Sequence, residues 1–404
     1  MSSQHGMIAA RPCVKRACAA SLLATVILAF SPIRAHAQSK SEHTPRQLTP
    51  PLDVTVRIDP TAFKAGGKWH LVYELRVANL GRWDCQVKSI EVLTSEAPSK
   101  SLASYGDAGL DVVMSHPGVE TGGKTVDASK KTTIGPEAIA IAYMWVTFNK
   151  LEDVPEKIRH RIIMKIGDYP EAITLERVPI AVNRNPVVAI SPPLRGDGWL
   201  AANGPSNISI HCRALIPING HAYISQRYAI DWVQLYPDGK TYHGDPEDNR
   251  NYRAYGAEIH AVSDGIVTET KDGIQQNIPD EKPVVPTTLE TIGGNYVIVQ
   301  IGDGVFAFYA HMRPGSLRVK VGDRVRRGDI LGLLGNSGNS SEPHLHFHIC
   351  SASSEFACEG LRYTFPSYDF LGNGVTWKSS GVHGPPMKLE MEIPPENDIV
   401  RFQQ

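Results

Sequence analysis

Apolar and polar residues alternate along most of this chain. Period-two runs occur at 53–58, 70–78, 85–93, 139–148, 160–166 and 173–177, with Ala65-Gly66-Gly67 and Asn79-Leu80-Gly81 as turns between them. That period belongs to strands with one face buried, and strands at this spacing predict an immunoglobulin-like β-sandwich over 48–182. A stretch rich in Pro, Gly and Asn at 183–207, with Ser191-Pro192-Pro193 and Asn203-Gly204-Pro205, reads as a linker. A second β-rich domain follows over 208–372, with strands at 228–235, 258–263, 265–270, 295–301, 305–311 and 330–334. Helical periodicity is nearly absent there, so the expected class is all-β. The segments 236–255 and 271–291 are long for connectors and are groove walls or plain surface insertions. The Pro-rich end, 373–404, reads as an extended tail.

One strand stands apart. His344-Leu345-His346-Phe347-His348-Ile349 alternates strictly after the turn-forming Gly335-Asn336-Ser337-Gly338-Asn339-Ser340. His344, His346 and His348 therefore share a face, and same-face side chains start roughly 6 to 7 Å apart, close enough for two imidazoles to converge on one ion or reacting atom. Neutral imidazole is a common zinc ligand and also suits proton transfer near neutral pH. A lone strand histidine is more often structural, and His70, His116, His160 and His260 are read that way. Asp231, inside the apolar run Tyr228-Ala229-Ile230-Asp231-Trp232-Val233, is costly to bury unless it is paired or bound to a cation.

Composition adds the setting. Arg11, Lys15 and Arg16 precede the apolar run 17–30, and Ala35-His36-Ala37 fits the small-residue cleavage rule, so 1–37 reads as a signal peptide cleaved near Ala37. The run is short for a membrane span of about 20 residues, and none follows. A periplasmic or secreted protein is expected. Losing Arg11, Lys15, Arg16 and Arg34 takes the formal charge from -1 to about -5, which disfavours a nucleic-acid partner. Four cysteines remain, with Cys350–Cys358 the favoured disulfide and Cys85–Cys212 the complementary pair.

The run Val321-Gly322-Asp323-Arg324-Val325, the turn Asn336-Ser337-Gly338-Asn339-Ser340, His344-Leu345-His346 and the upstream Tyr309-Ala310-His311 together resemble the lysostaphin-type M23 zinc endopeptidases, over about 225–350. The resemblance implies an antiparallel, hammerhead-like β core, one zinc ion, peptidoglycan peptides as substrate and hydrolysis of peptide bonds. It implies Asp231 and His346 as metal ligands and His344 and His311 as catalytic histidines. Three protein ligands would leave zinc one open position, where the metal polarises the scissile carbonyl and lowers the pKa of water to about 7.

The sequence departs from that family at the first ligand. Arg227 stands four residues before Asp231 where the family pattern has His, and a guanidinium has no lone pair to give. His211 is the preferred third ligand, with His221 as the alternative and His243 a further source. Arg227 and His348 are candidates for substrate contact, Arg227 through two-point pairing with a carboxylate. A different reading keeps the fold but not the chemistry: a degenerate domain that binds cell wall or activates another hydrolase. A lipoyl-carrier hammerhead ranks below both, since no exposed hairpin lysine is found. The sandwich would position substrate or a protein partner.

Overall fold

The computed structural model describes residues 49–118, 128–185, 187–374 and 385–403; the expected signal peptide and its cleavage site lie outside the described residues. Among the described residues the fold is almost wholly β, with two short α-helices, Asp107–Val113 and Ala128–Lys131, in the N-terminal part. Among the described residues no helix is long and apolar enough to cross a membrane.

Two antiparallel sheets make the N-terminal part. One is built around Lys68–Asn79 and Ile139–Phe148, the other around Cys85–Thr94 and Lys157–Ile166. Alternation decides the packing: Leu71, Tyr73, Leu75 and Val77 from the first sheet share one core with Val87, Ile90, Val92, Ile162 and Met164 from the second. The outward side of the first sheet is covered as well. Phe63, Ala65 and Val72 join the core of the C-terminal part, where the Phe63 ring meets Tyr228 with 5.2 Å between centroids.

A twelve-stranded sheet organises the C-terminal part. Its centre runs Gly196–Ala202, Ile230–Gln234, Leu345–Cys350, Val305–Met312, Asn295–Gly302 and Gly265–Lys271 in spatial order. The histidine strand, Leu345–Cys350, is held between two neighbours, with His346 opposite Asp231 on one side and Ala310 on the other. Leu345, Phe347 and Ile349 are fully buried, each worth about 1.5–3 kcal/mol of apolar burial, so a register slip is strongly disfavoured. The same logic turns Ile230 and Trp232 to the core and Asp231 to the opposite face.

Three expectations change. The linker at 183–207 is partly sheet, since Gly196–Ala202 pairs with both Ile230–Gln234 and Asp398–Phe402. Gly196 and Gly198, with φ of +89° and +79°, lie at an irregularity at the strand's start. The expected extended tail is partly sheet: Met387–Glu392 pairs with Tyr363–Asn373, and Asp398–Phe402 sits between Tyr363–Asn373 and Gly196–Ala202. Pro394 and Pro395 occupy the connection, while buried Ile399, Val400 and Phe402 anchor the last strand. Cys350–Cys358 is a disulfide, but Cys85 and Cys212 are free and buried, Cys85 in the sandwich core and Cys212 with its thiol donating to the Arg227 carbonyl at 2.9 Å.

Candidate metal centre

Five residues from four segments converge where the histidine strand meets its neighbours. Asp231 Oδ1 lies 2.8 Å from His346 Nδ1 and 3.6 Å from His344 Nε2, and Asp231 Oδ2 lies 3.4 Å from His211 Nε2. The His311 ring stands 4.7 Å from His344 and 5.9 Å from His346, centroid to centroid. His311 is held at φ +61°, a left-handed backbone that a non-glycine residue adopts only where its surroundings enforce it. Its amide donates to Gly293 O at 3.0 Å and its Nδ1 to Ser337 O at 2.7 Å. The preceding turn is equally tight. Gly338 has φ +77°, and a Cβ there would collide with the backbone nitrogen of Gly294.

The hydrogen bonds fix which ring nitrogen carries the proton. A carbonyl oxygen only accepts, so Nδ1–H is assigned to His211, donating to Asn203 O at 2.9 Å, and to His344, donating to Glu342 O at 2.8 Å, as well as to His311. In the neutral forms each Nε2 is then a bare lone pair. His211 and His344 direct theirs at the Asp231 carboxylate, which is itself all acceptor. Burial pushes the His211 pKa down to about 4, against the pull of Asp231, so no proton bridges that contact at neutral pH. Burial opposes ionisation of Asp231, but the hydrogen bond from His346 Nδ1 favours the carboxylate, and its pKa lies well below the ordinary range. A lone pair facing a carboxylate in a buried setting is unfavourable unless a cation lies between them. His211, Asp231 and His346 offer ligand atoms all within 4.8 Å of one another, a donor set of two nitrogens and an oxygen that suits zinc.

The remaining candidates separate cleanly. His221 lies on the small Ile216–Ile218/His221–Tyr223 hairpin, tilted against the Tyr223 ring and paired with Arg57. His243 stacks on Tyr236 and pairs with Asp238 along a separate groove of about 940 Å³ that contains none of the five converging side chains. Arg227 is not available to substrate: it is 3% exposed, and its guanidinium donates to Glu74, Glu359 and the Gly360 carbonyl. The apolar strand pattern around it gave no hint of those two carboxylates. His348 likewise faces no substrate. It is fully buried, its Nδ1 lies 3.0 Å from His346 Nε2, and burial with His346 beside it holds its pKa well below the usual value. His348 also neighbours Cys350 and Cys358, but their sulfurs are bonded to each other and offer no thiolate.

Sequence reasoning missed Asn203. Its backbone carbonyl accepts from His211 Nδ1–H while its side-chain amide donates to Asp231 Oδ2 at 2.8 Å, so one residue orients two of the cluster's groups. The signal was present only as a turn, and Asn203 does sit at φ +49°. Also unforeseen are Glu281 and Glu355, which line the cavity of about 500 Å³ onto which His211, Asp231, His311, His344 and His346 open. Both long insertions help shape this region. Asn277 donates to the Gly338 and Ser340 carbonyls at 2.7 and 2.8 Å, and Asn249 is the partner of Asn336 at 2.9 Å.

Residues 251–357 match Peptidase family M23. Endolysin 2638A of Staphylococcus phage 2638A is 32% identical over 117 residues, covering 28% of this chain and 24% of that protein. Peptidoglycan DD-endopeptidase ShyA of Vibrio cholerae is 39% identical over 66 residues, 16% of this chain and 15% of that protein. The chain thus spans a quarter or less of the length of these two relatives. Among solved structures, the catalytic domain of lysostaphin from Staphylococcus simulans is similar at 24% identity, with 41% of this chain and 86% of that chain covered and a TM-score of 0.22. His311, His344 and His346 fall inside the matched segment, whereas His211 and Asp231 precede it.

Proposed function

Because residues 251–357 match Peptidase family M23, we propose that the chain is an exported, zinc-dependent endopeptidase that hydrolyses peptide bonds in bacterial peptidoglycan. The observation that carries this reading is the set His211, Asp231 and His346, with ligand atoms within 4.8 Å of one another and with His344 and His311 beside it. Zinc in that set would supply a Lewis acid for the scissile carbonyl and a lowered pKa for water. The chain's own residues supply the proton chemistry. His344 and His311 each commit Nδ1–H to a carbonyl and keep Nε2 free to take a proton. Burial holds His311 well below its ordinary pKa, so it stands neutral with Nε2 unprotonated. Once protonated, either imidazole becomes a donor to a developing oxyanion.

The degenerate alternative drew its force from Arg227. A histidine 3.4 Å from Asp231 supports the enzyme over that alternative. The test is digestion of purified sacculi by the mature chain. Soluble fragments should be released, release should stop with a chelator and resume with added zinc, and His344→Ala should keep its metal while losing at least about 100-fold in rate. Undiminished hydrolysis in chelator would refute the metal-dependent reading.

A further inference from the structure

Asp231 and His346 are placed by paired strands, whose register sets them opposite each other. His211 has no such support. It lies between the strands Gly196–Ala202 and Ile216–Ile218, on chain that belongs to neither helix nor strand. Irregular segments of this kind open readily unless something outside them holds them.

The neighbouring contacts show what does. Two residues past His211, Arg213 reaches into the N-terminal sandwich: its Nη2 donates to the Val112 carbonyl, and its guanidinium lies over the Tyr143 ring at 5.3 Å from the centroid. Tyr143 answers by donating its hydroxyl to the Arg213 carbonyl at 3.3 Å. Arg213 Nε also ties back to Asn207 O at 2.8 Å, closing the loop on itself. Leu215 packs against Ile141, Tyr143 and Ile224, so apolar contact continues the grip. Cys212, between His211 and Arg213, donates to the carbonyl of Arg227, and the Arg227 side chain is fastened to the sandwich through both oxygens of Glu74 at 3.0 Å. His211 is therefore braced by Asn203 on its sheet side and by the sandwich on the other.

We propose that the N-terminal sandwich is a structural part of the metal centre, with Arg213 and Tyr143 as positioning residues that hold His211 in reach of Asp231. This rests on the reading of the cluster as a cation site, and it gives the sandwich a role inside the chain. Arg213 touches neither substrate nor metal; it acts through the backbone it fixes. The second device, Arg227 with Glu74, keeps the strand that carries Asp231 in a constant relation to the same sandwich sheet.

The experiment measures zinc affinity of the full chain by competition with a chromophoric chelator, using the metal alone. Arg213→Ala should weaken zinc binding at least tenfold, Tyr143→Phe should weaken it less because the ring remains, and Arg213→Lys should recover part of the loss. In a His211→Ala background, Arg213→Ala should cost nothing further, a result that general loosening of the fold would not give. If Arg213→Ala also lowers the melting temperature, this double-mutant comparison still decides. Zinc affinity unchanged in both Arg213→Ala and Tyr143→Phe, with His211→Ala impaired, overturns the inference and leaves the metal centre standing. A wild-type chain that takes up no zinc removes the metal centre itself, and the inference with it.

Discussion

At the scale of single residues, the site depends on which atoms carry protons. Asn203 sets this for His211 while donating to Asp231. Partners that orient metal ligands typically matter 10–100-fold in affinity, so Asn203→Ala is expected to weaken zinc binding by about that factor with the fold intact. A competition titration checks it, and unchanged affinity would show that Asn203 orients nothing. His221→Ala, by contrast, should leave zinc content untouched. Much of this scale was legible beforehand: the alternation of His344, His346 and His348 and the misfit of an aspartate in an apolar strand both follow from side-chain chemistry. His211 was harder to reach, because a ligand delivered by irregular chain leaves no periodic trace. The inward turn of His348 was equally hidden, since strand period gives a face but not the depth of a residue within it.

Among the elements, the histidine strand and its leading turn are the least tolerant. Gly338 combines a positive φ with backbone contact to Gly294, so Gly338→Ala must strain or displace the turn that receives His311. We expect a lower melting temperature and at least a tenfold loss in hydrolysis, and wild-type values for both would contradict this account of the turn. Arg227 makes the opposite case, a charge whose role is fixed by its partners. Replacing it with Met leaves Glu74 and Glu359 without their cation, and breaking a buried pair this way costs about 3–5 kcal/mol. Denaturant unfolding of Arg227→Met should show a loss of that order; a loss below about 1 kcal/mol would mean the cluster is far more hydrated than its burial implies. Strand existence was plain from alternation at this scale, and Ile139–Phe148 was placed to the residue. The strands Gly196–Ala202 and Asp398–Phe402 were not recognised, because glycines and prolines near them read as breaks when they mark a strand irregularity and a connection.

For the whole molecule, the sandwich and the twelve-stranded sheet share buried surface, and several histidines are buried in neutral form. His160, wholly inside the sandwich, pairs with the Tyr73 hydroxyl at 2.9 Å, and burial lowers its pKa from 6.5 to about 3. The folded-state value lies below the unfolded one, so the unfolded chain binds the proton first. Stability is complete above about pH 6.5 and falls as the pH drops toward 3, and His211 adds to the trend in metal-free protein. Melting temperatures between pH 8 and pH 4 should therefore be flat and then decline, and a rise on acidification would contradict this assignment. No local pattern could have announced that the two parts join through Arg227, Glu74, Arg213 and Tyr143, since those residues lie far apart in sequence and meet only through the fold.

The central claim is that His211, Asp231 and His346 hold one divalent cation. Metal stoichiometry of the purified chain, by elemental analysis after extensive dialysis, tests it most directly. The account predicts one zinc per wild-type chain and none in Asp231→Ala that remains folded. A wild-type chain without zinc after exposure to it, or a full complement retained by Asp231→Ala, would contradict it.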